Sequence, residues 1–128
     1  MKLSYILIFT LFVTSLVNAQ DINSDTDGPV LMFNNWISGI KNNDLEKFKD
    51  GYLQADWDKM TDAEKNQLLK TYKQGFDSFG FENYVVEDFK TSYEGSETNG
   101  VLKIIFIDKK LRDLSVKNVN GDWVLAEK

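Results

Sequence analysis

The sequence predicts an α+β domain in which three helices come first and four antiparallel strands follow. Before Gly80 the apolar residues recur at helical spacing; after it they alternate, as half-buried strands do. Asn120-Gly121 adds a strong two-residue hairpin signal, because a type I′ turn needs positive φ at both central positions.

The first helix is expected to start near Gly28-Pro29, with Asp27 as cap and Pro29 in the first turn. Val30, Phe33, Trp36, Ile37 and Ile40 form its buried stripe, and Asn42-Asn43 ends it. A second helix takes Asn43 as cap with Glu46 three residues on, and turns Leu45, Phe48 and Tyr52 inward. Gly51 to Lys59 shows no period and is expected to be irregular. Thr61-Asp62-Ala63-Glu64 is a capping box that opens a third helix running to about Phe79. Leu68, Leu69, Tyr72, Phe76 and Phe79 are its apolar face, and Gly80 stops it.

Strands are expected at Asn83–Tyr93, Val101–Ile107, Leu111–Val119 and Asp122–Glu127, with a turn-rich break at Ser92–Gly100. The Asn-Gly turn sets Val119 opposite Asp122, Asn118 opposite Trp123, Val116 opposite Leu125 and Leu114 opposite Glu127. Leu114, Val116, Trp123 and Leu125 then face the core. To keep Leu102, Ile104 and Phe106 on that same face, the preceding loop is expected to hold three residues, Asp108 to Lys110. That pairs Phe106 with Arg112, Ile104 with Leu114 and Leu102 with Val116.

Residues 1–19 read as a cleaved signal peptide: Lys2, an apolar run from Leu3 to Val17, and small residues at Val17-Asn18-Ala19. The run is short and carries Ser4, Thr10, Thr14 and Ser15, which disfavours a membrane anchor. Residues 20–28 read as a flexible acidic tether and 29–128 as the folded domain. Export to a periplasm or the outside is therefore expected, with no membrane attachment after cleavage. There is no cysteine, so stability must come from packing. The net charge is −5, one unit more negative without the leader's lysine. That balance argues against nucleic acid as partner, since phosphate binding needs clustered cations.

Helices first, a short Lys41–Lys47 break (Lys-Asn-Asn-Asp-Leu-Glu-Lys), and a closing Val119–Leu125 hairpin of the form Val-Asn-Gly-Asp-Trp-Val-Leu carry a resemblance. The chain resembles small exported bacterial members of the nuclear transport factor 2-like superfamily, of cystatin-like fold, which also holds ketosteroid-isomerase-like proteins. The resemblance implies that the sheet curves around the helices as a cone, either hollow or filled. It also implies a homodimer through the outer face of the sheet. Family enzymes place Asp, Tyr or His inside the cone; this chain has no histidine, and no catalytic set transfers residue by residue.

Without His or Cys, thiol nucleophiles, His-based triads and the usual zinc sites are excluded. No cofactor is expected. Asn23-Ser-Asp25-Thr-Asp27-Gly28 matches part of a calcium loop, but Asn stands at its first position and Asn34 at its twelfth, where an acidic ligand belongs. A polar tether ending in a cap is the better reading. Asp56-Trp57-Asp58 would pair two carboxylates around an aromatic only in an extended segment. Glu87, beside Val85, Phe89, Thr91 and Tyr93, is expected on the inner face with Arg112, the only arginine. Either they meet a polar ligand or they neutralise each other. With Trp36, Phe89, Phe106 and Trp123 they make the candidate ligand-binding set. Tyr84, Val86, Ile105, Ile107 and Val124 are expected on the outer face as a homodimer surface.

The expected function is an exported, non-enzymatic binding domain, for a small ligand in the cone or a protein on the sheet. One alternative is an isomerase- or lyase-type enzyme using Glu87 or a buried Asp with Tyr52 or Tyr72. Another is a structural envelope protein with a filled core.

Overall fold

The computed structural model describes residues 28–126. The expected leader, residues 20–27 of the expected tether with the cap Asp27, and the last two residues lie outside the described residues, while Gly28, read as the tether's last residue, opens the first helix. Within them the architecture is α+β, helices followed by an antiparallel sheet that does not close into a barrel.

Helix α1, Gly28–Asn42, buries Val30, Phe33, Trp36, Ile37 and Ile40, the stripe read from the sequence, together with Met32 and Gly39. Asn43 ends it in the left-handed region at φ 54°. A residue so placed cannot cap the next helix, which needs an extended residue before it. The cap of α2, Leu45–Phe48, is therefore Asp44, whose carboxylate accepts from the N–H groups of Glu46 and Lys47. A 3₁₀ turn, Lys49–Gly51, follows. The link expected to be irregular contains a fourth helical segment, α3, Gln54–Asp58, held by the buried Trp57. Its five residues are too few for a helical period to show in sequence. Helix α4, Asp62–Ser78, starts with the expected capping box: Thr61 N–H donates to Glu64 Oε1 at 2.8 Å and Glu64 N–H to Thr61 Oγ1 at 3.1 Å. It ends before Gly80, φ 86°. Phe79, placed on the apolar face by its spacing, is instead 75% exposed at the helix's last step.

The strands are β1 Phe89–Gly95, β2 Asn99–Phe106, β3 Lys109–Lys110, β4 Leu114–Val119 and β5 Asp122–Leu125, ordered β1-β2-β4-β5 with β3 beside β2. The Asn-Gly hairpin has the expected register, Val119 opposite Asp122, Asn118 opposite Trp123 and Val116 opposite Leu125. Both its turn residues take positive φ, 55° and 97°. The pairing given to Glu127 lies outside the described residues.

The strand expectations are corrected at several points: Lys109–Lys110 makes a fifth strand where four were expected, the strand expected from Leu111 starts at Leu114, and the break expected over Ser92–Gly100 narrows to the three residues 96–98. The first strand starts at Phe89, six residues late. Asn83 sits at φ 60°, and the Asp88 carboxylate accepts from Val85 N–H, folding Val86–Asp88 into a 3₁₀ turn. The β2 return is a two-residue turn, Ile107-Asp108, with Phe106 opposite Lys109 and Ile105 opposite Lys110. One extra residue in Leu111–Asp113 then brings Leu102 opposite Leu114, not Val116. A bulge shifts register by one and so restores the phase a tight turn would have lost. The inward face was right; the pairing was two residues out.

Aromatic rings fill the space between helices and sheet. Phe33, Trp36, Phe48, Tyr72, Phe76, Phe81, Tyr84 and Phe89 form a connected set of edge-on and tilted contacts. Leu102, Ile104 and Val116 close it from the sheet. At the other end Tyr93 lies over Gly95 and Gly100, where an added Cβ would come within 2.7 and 2.6 Å of its hydroxyl. Trp123 meets Tyr93 edge-on at 5.1 Å and packs so closely on Gly28 that a Cβ there would overlap the indole.

Candidate functional site

The six expected ligand-binding residues do not converge. Trp36 is buried, stacked on Phe48 at 6.2 Å and 16°, and its Nε1–H donates to Tyr52 Oη at 3.3 Å. Phe89 is buried in the same core, against Phe33 and Tyr84. Phe106 and Trp123 are half-buried at opposite ends of the sheet. Glu87 is exposed on the 3₁₀ turn because β1 starts two residues after it. Arg112 is exposed in the bulge that the expected three-residue loop lacked. Among the described residues no ion pair joins the two.

The interior holds rings in place of charged groups: no charged side chain is buried among the described residues. Tyr84 is buried, its hydroxyl donating to the Ile37 carbonyl, and loss of hydration pushes that hydroxyl well above the usual phenol range. Asp56 and Asp58 sit on a helix, where i and i+2 diverge, and Gln54 Nε2–H donates to Asp58 at 2.7 Å. Among the described residues no three acidic side chains gather as a metal site. Of the calcium-loop match, Asn34 lies within α1, and positions 23–27 lie outside the described residues.

Two surface features remain. A cleft of about 320 Å³ between α1, the Lys49–Gly51 turn and β5 is lined by Asn35, Lys49, Asp50, Tyr52, Gln54 and Trp123. Several of its polar groups already have partners: Asn35 Nδ2–H donates to Asp50 at 2.8 Å, and Lys49 pairs outside the cleft with Glu46 at 3.0 Å, which raises the lysine's pKa.

The second is an open apolar depression of about 510 Å³ at the far end of the sheet, formed by Phe79, Gly80, Phe81, Phe106, Ile107, Asp108 and Lys109. Phe79 and Ile107, 75% and 57% exposed, are the most exposed large apolar side chains here. Ile107 has φ 56° and Asp108 has not, the type II′ pattern, whose first position ordinarily belongs to Gly. The helical period hid Phe79, because it assigns every residue in phase to the core. Ile107 was legible as exposed, but its turn was not.

The expected homodimer surface is also revised. Tyr84 belongs to the core and Val124 is 2% exposed, so neither is available for contact. Val86 is half-buried, while Ile105 and Ile107 stay exposed. Ile105 lies between Lys90 on β1 and Lys110 on β3, both exposed.

No protein-family model, curated protein or solved structure matches this chain. Fold and surface together define its class: a helices-then-sheet α+β domain with a ring-filled interior and an exposed apolar end.

Proposed function

We propose that this is an exported, non-enzymatic binding domain that holds a partner protein at the Phe79–Ile107 end. The observation that carries the reading is the exposure of Phe79 and Ile107 around one apolar depression. Exposed apolar patches of this kind mark interaction surfaces. Lys109, on the rim with Asp108, fits a partner that presents apolar side chains edged by a carboxylate. The helices-first order and the Asn-Gly hairpin support affiliation with the nuclear transport factor 2-like superfamily as part of the same proposal.

The rival readings find less support. A ligand inside a cone would need the volume that the aromatic rings occupy. An acid–base enzyme would need Glu87 near Tyr52 or Tyr72. Glu87 lies on an exposed turn beside Asn34, whereas both tyrosines pack on Phe48.

A photo-crosslinking residue at position 79 or 107, in the chain expressed in its own host, tests the reading. A discrete adduct at both positions, absent at exposed Lys70 and reduced by Lys109→Glu, is expected. Equal labelling at all three positions, or none, would remove the proposal.

A further inference from the structure

We propose that two copies of this chain pair edge to edge through β1, antiparallel about a two-fold axis at Ser92. β1 is one end of the sheet and is seven residues long. The other end, β5, has four and packs beside the Lys49–Gly51 turn as well as α1, which also reaches β1. The bonds Ser96 N–H to Asn99 O at 3.0 Å and Ile107 N–H to Asp88 O at 2.9 Å fix the ladder's phase. Even-numbered residues of β1 therefore bond to β2, and Thr91, Tyr93 and Gly95 aim their N–H and C=O groups off the sheet, as Phe89 does its C=O, its N–H being taken by the Val86 carbonyl. An open row of this kind is a template for another strand unless something blunts it. β1 carries no proline, and its cations and anions are arranged to complement a second copy.

The complementarity is specific to one register. With Ser92 opposite its symmetry mate, Thr91 falls opposite Tyr93 of the partner subunit, and these odd residues bond across the seam. Lys90 falls opposite Glu94 of the partner subunit, twice by symmetry, on the side away from the helices. Both bonding phase and charge are thus met at once, as an interface between identical copies requires. Within one copy Lys90 makes no ion pair among the described residues, and Glu94 only a long one of 4.0 Å to Lys103. This seam is an edge, distinct from the outer-face surface around Ile105, and independent of the Phe79–Ile107 reading.

The test uses the mature protein purified after export, by sedimentation across roughly 1–100 µM, the range where modest interfaces dissociate. A dimer is expected, weakened about tenfold by Lys90→Glu and restored by Lys90→Glu with Glu94→Lys. Thr91→Pro removes one N–H from the seam but none from the monomer's own ladder, and should give a folded monomer. Ser92→Cys should cross-link the dimer on oxidation, because facing residues of a non-bonded pair lie within disulfide reach; Ser78→Cys should not. A monomer throughout overturns the proposal. So does a dimer that ignores the charge reversal and leaves Ser92→Cys unlinked. Phe79→Ser should leave the dimer unchanged, which separates this test from the partner-binding one.

Discussion

Ile107 carries two costs, since its β-branched side chain is held at positive φ and is also largely exposed to water. A non-glycine residue in that region costs on the order of 1–3 kcal/mol. The last hairpin avoids the cost with Asn120-Gly121. Ile107→Gly is therefore expected to raise stability by up to about 1 kcal/mol in urea unfolding, part of the relief being offset by glycine's freedom in the unfolded chain. If the apolar end holds a partner, the same variant should lose crosslinking. Asp113 gives a second prediction at this scale. Hydrogen bonds from Lys110 and Lys103 hold its carboxyl below the usual range. A lowered folded-state pKa means the contribution is complete above the unfolded value and is lost as pH falls through the folded one. Wild type should thus exceed Asp113→Asn in stability near neutral pH, and the gap should close as pH falls from about 5 toward 2. The difference is expected to be small, because the site is exposed and salt screens it.

At the scale of elements, the crossing of α1 over α2 rests on Gly39. A Cβ there would stand 2.4 Å from the Phe48 backbone nitrogen, which no rotamer change can relieve. Gly39→Ala should cost about 1–3 kcal/mol in denaturant unfolding, as overpacking does. The three long helical signals were legible, and one cap with them: the α1 stripe and the Thr61–Glu64 box are local signals, each complete within a few residues, whereas the cap expected at Asn43 falls one residue on, at Asp44. The last hairpin was legible too, because Asn-Gly fixes its register on its own. What escaped was decided by contacts between distant segments or by a single inserted residue. β1 starts late because Tyr84 turns inward to bond α1 and Asp88 folds the approach. The bulge at Leu111–Asp113 leaves no compositional mark, and it carried Arg112 out of the candidate site. Glu87 was lost for the first of these reasons, so the expected pair failed through two unrelated backbone events.

For the whole molecule, stability has to come from the ring-filled interior, since the chain has no cysteine to cross-link it. Trp36 contacts rings from α1, α2 and α4. Trp36→Ala should cost about 3–5 kcal/mol, a large share of a small domain's total, and the loss should be seen as a lowered urea midpoint. The contact between Gly28 and Trp123 also gives the molecule a direction. It fixes the leading end of α1 at the rim bearing Asn120-Gly121, about 30 Å along the strands from the Ile107 turn. A bead or sensor chip that grips the protein by its amino end would therefore leave Phe79 pointing out into solution. Coupling through the Asp108-Lys109 tip would bury that same patch against the support.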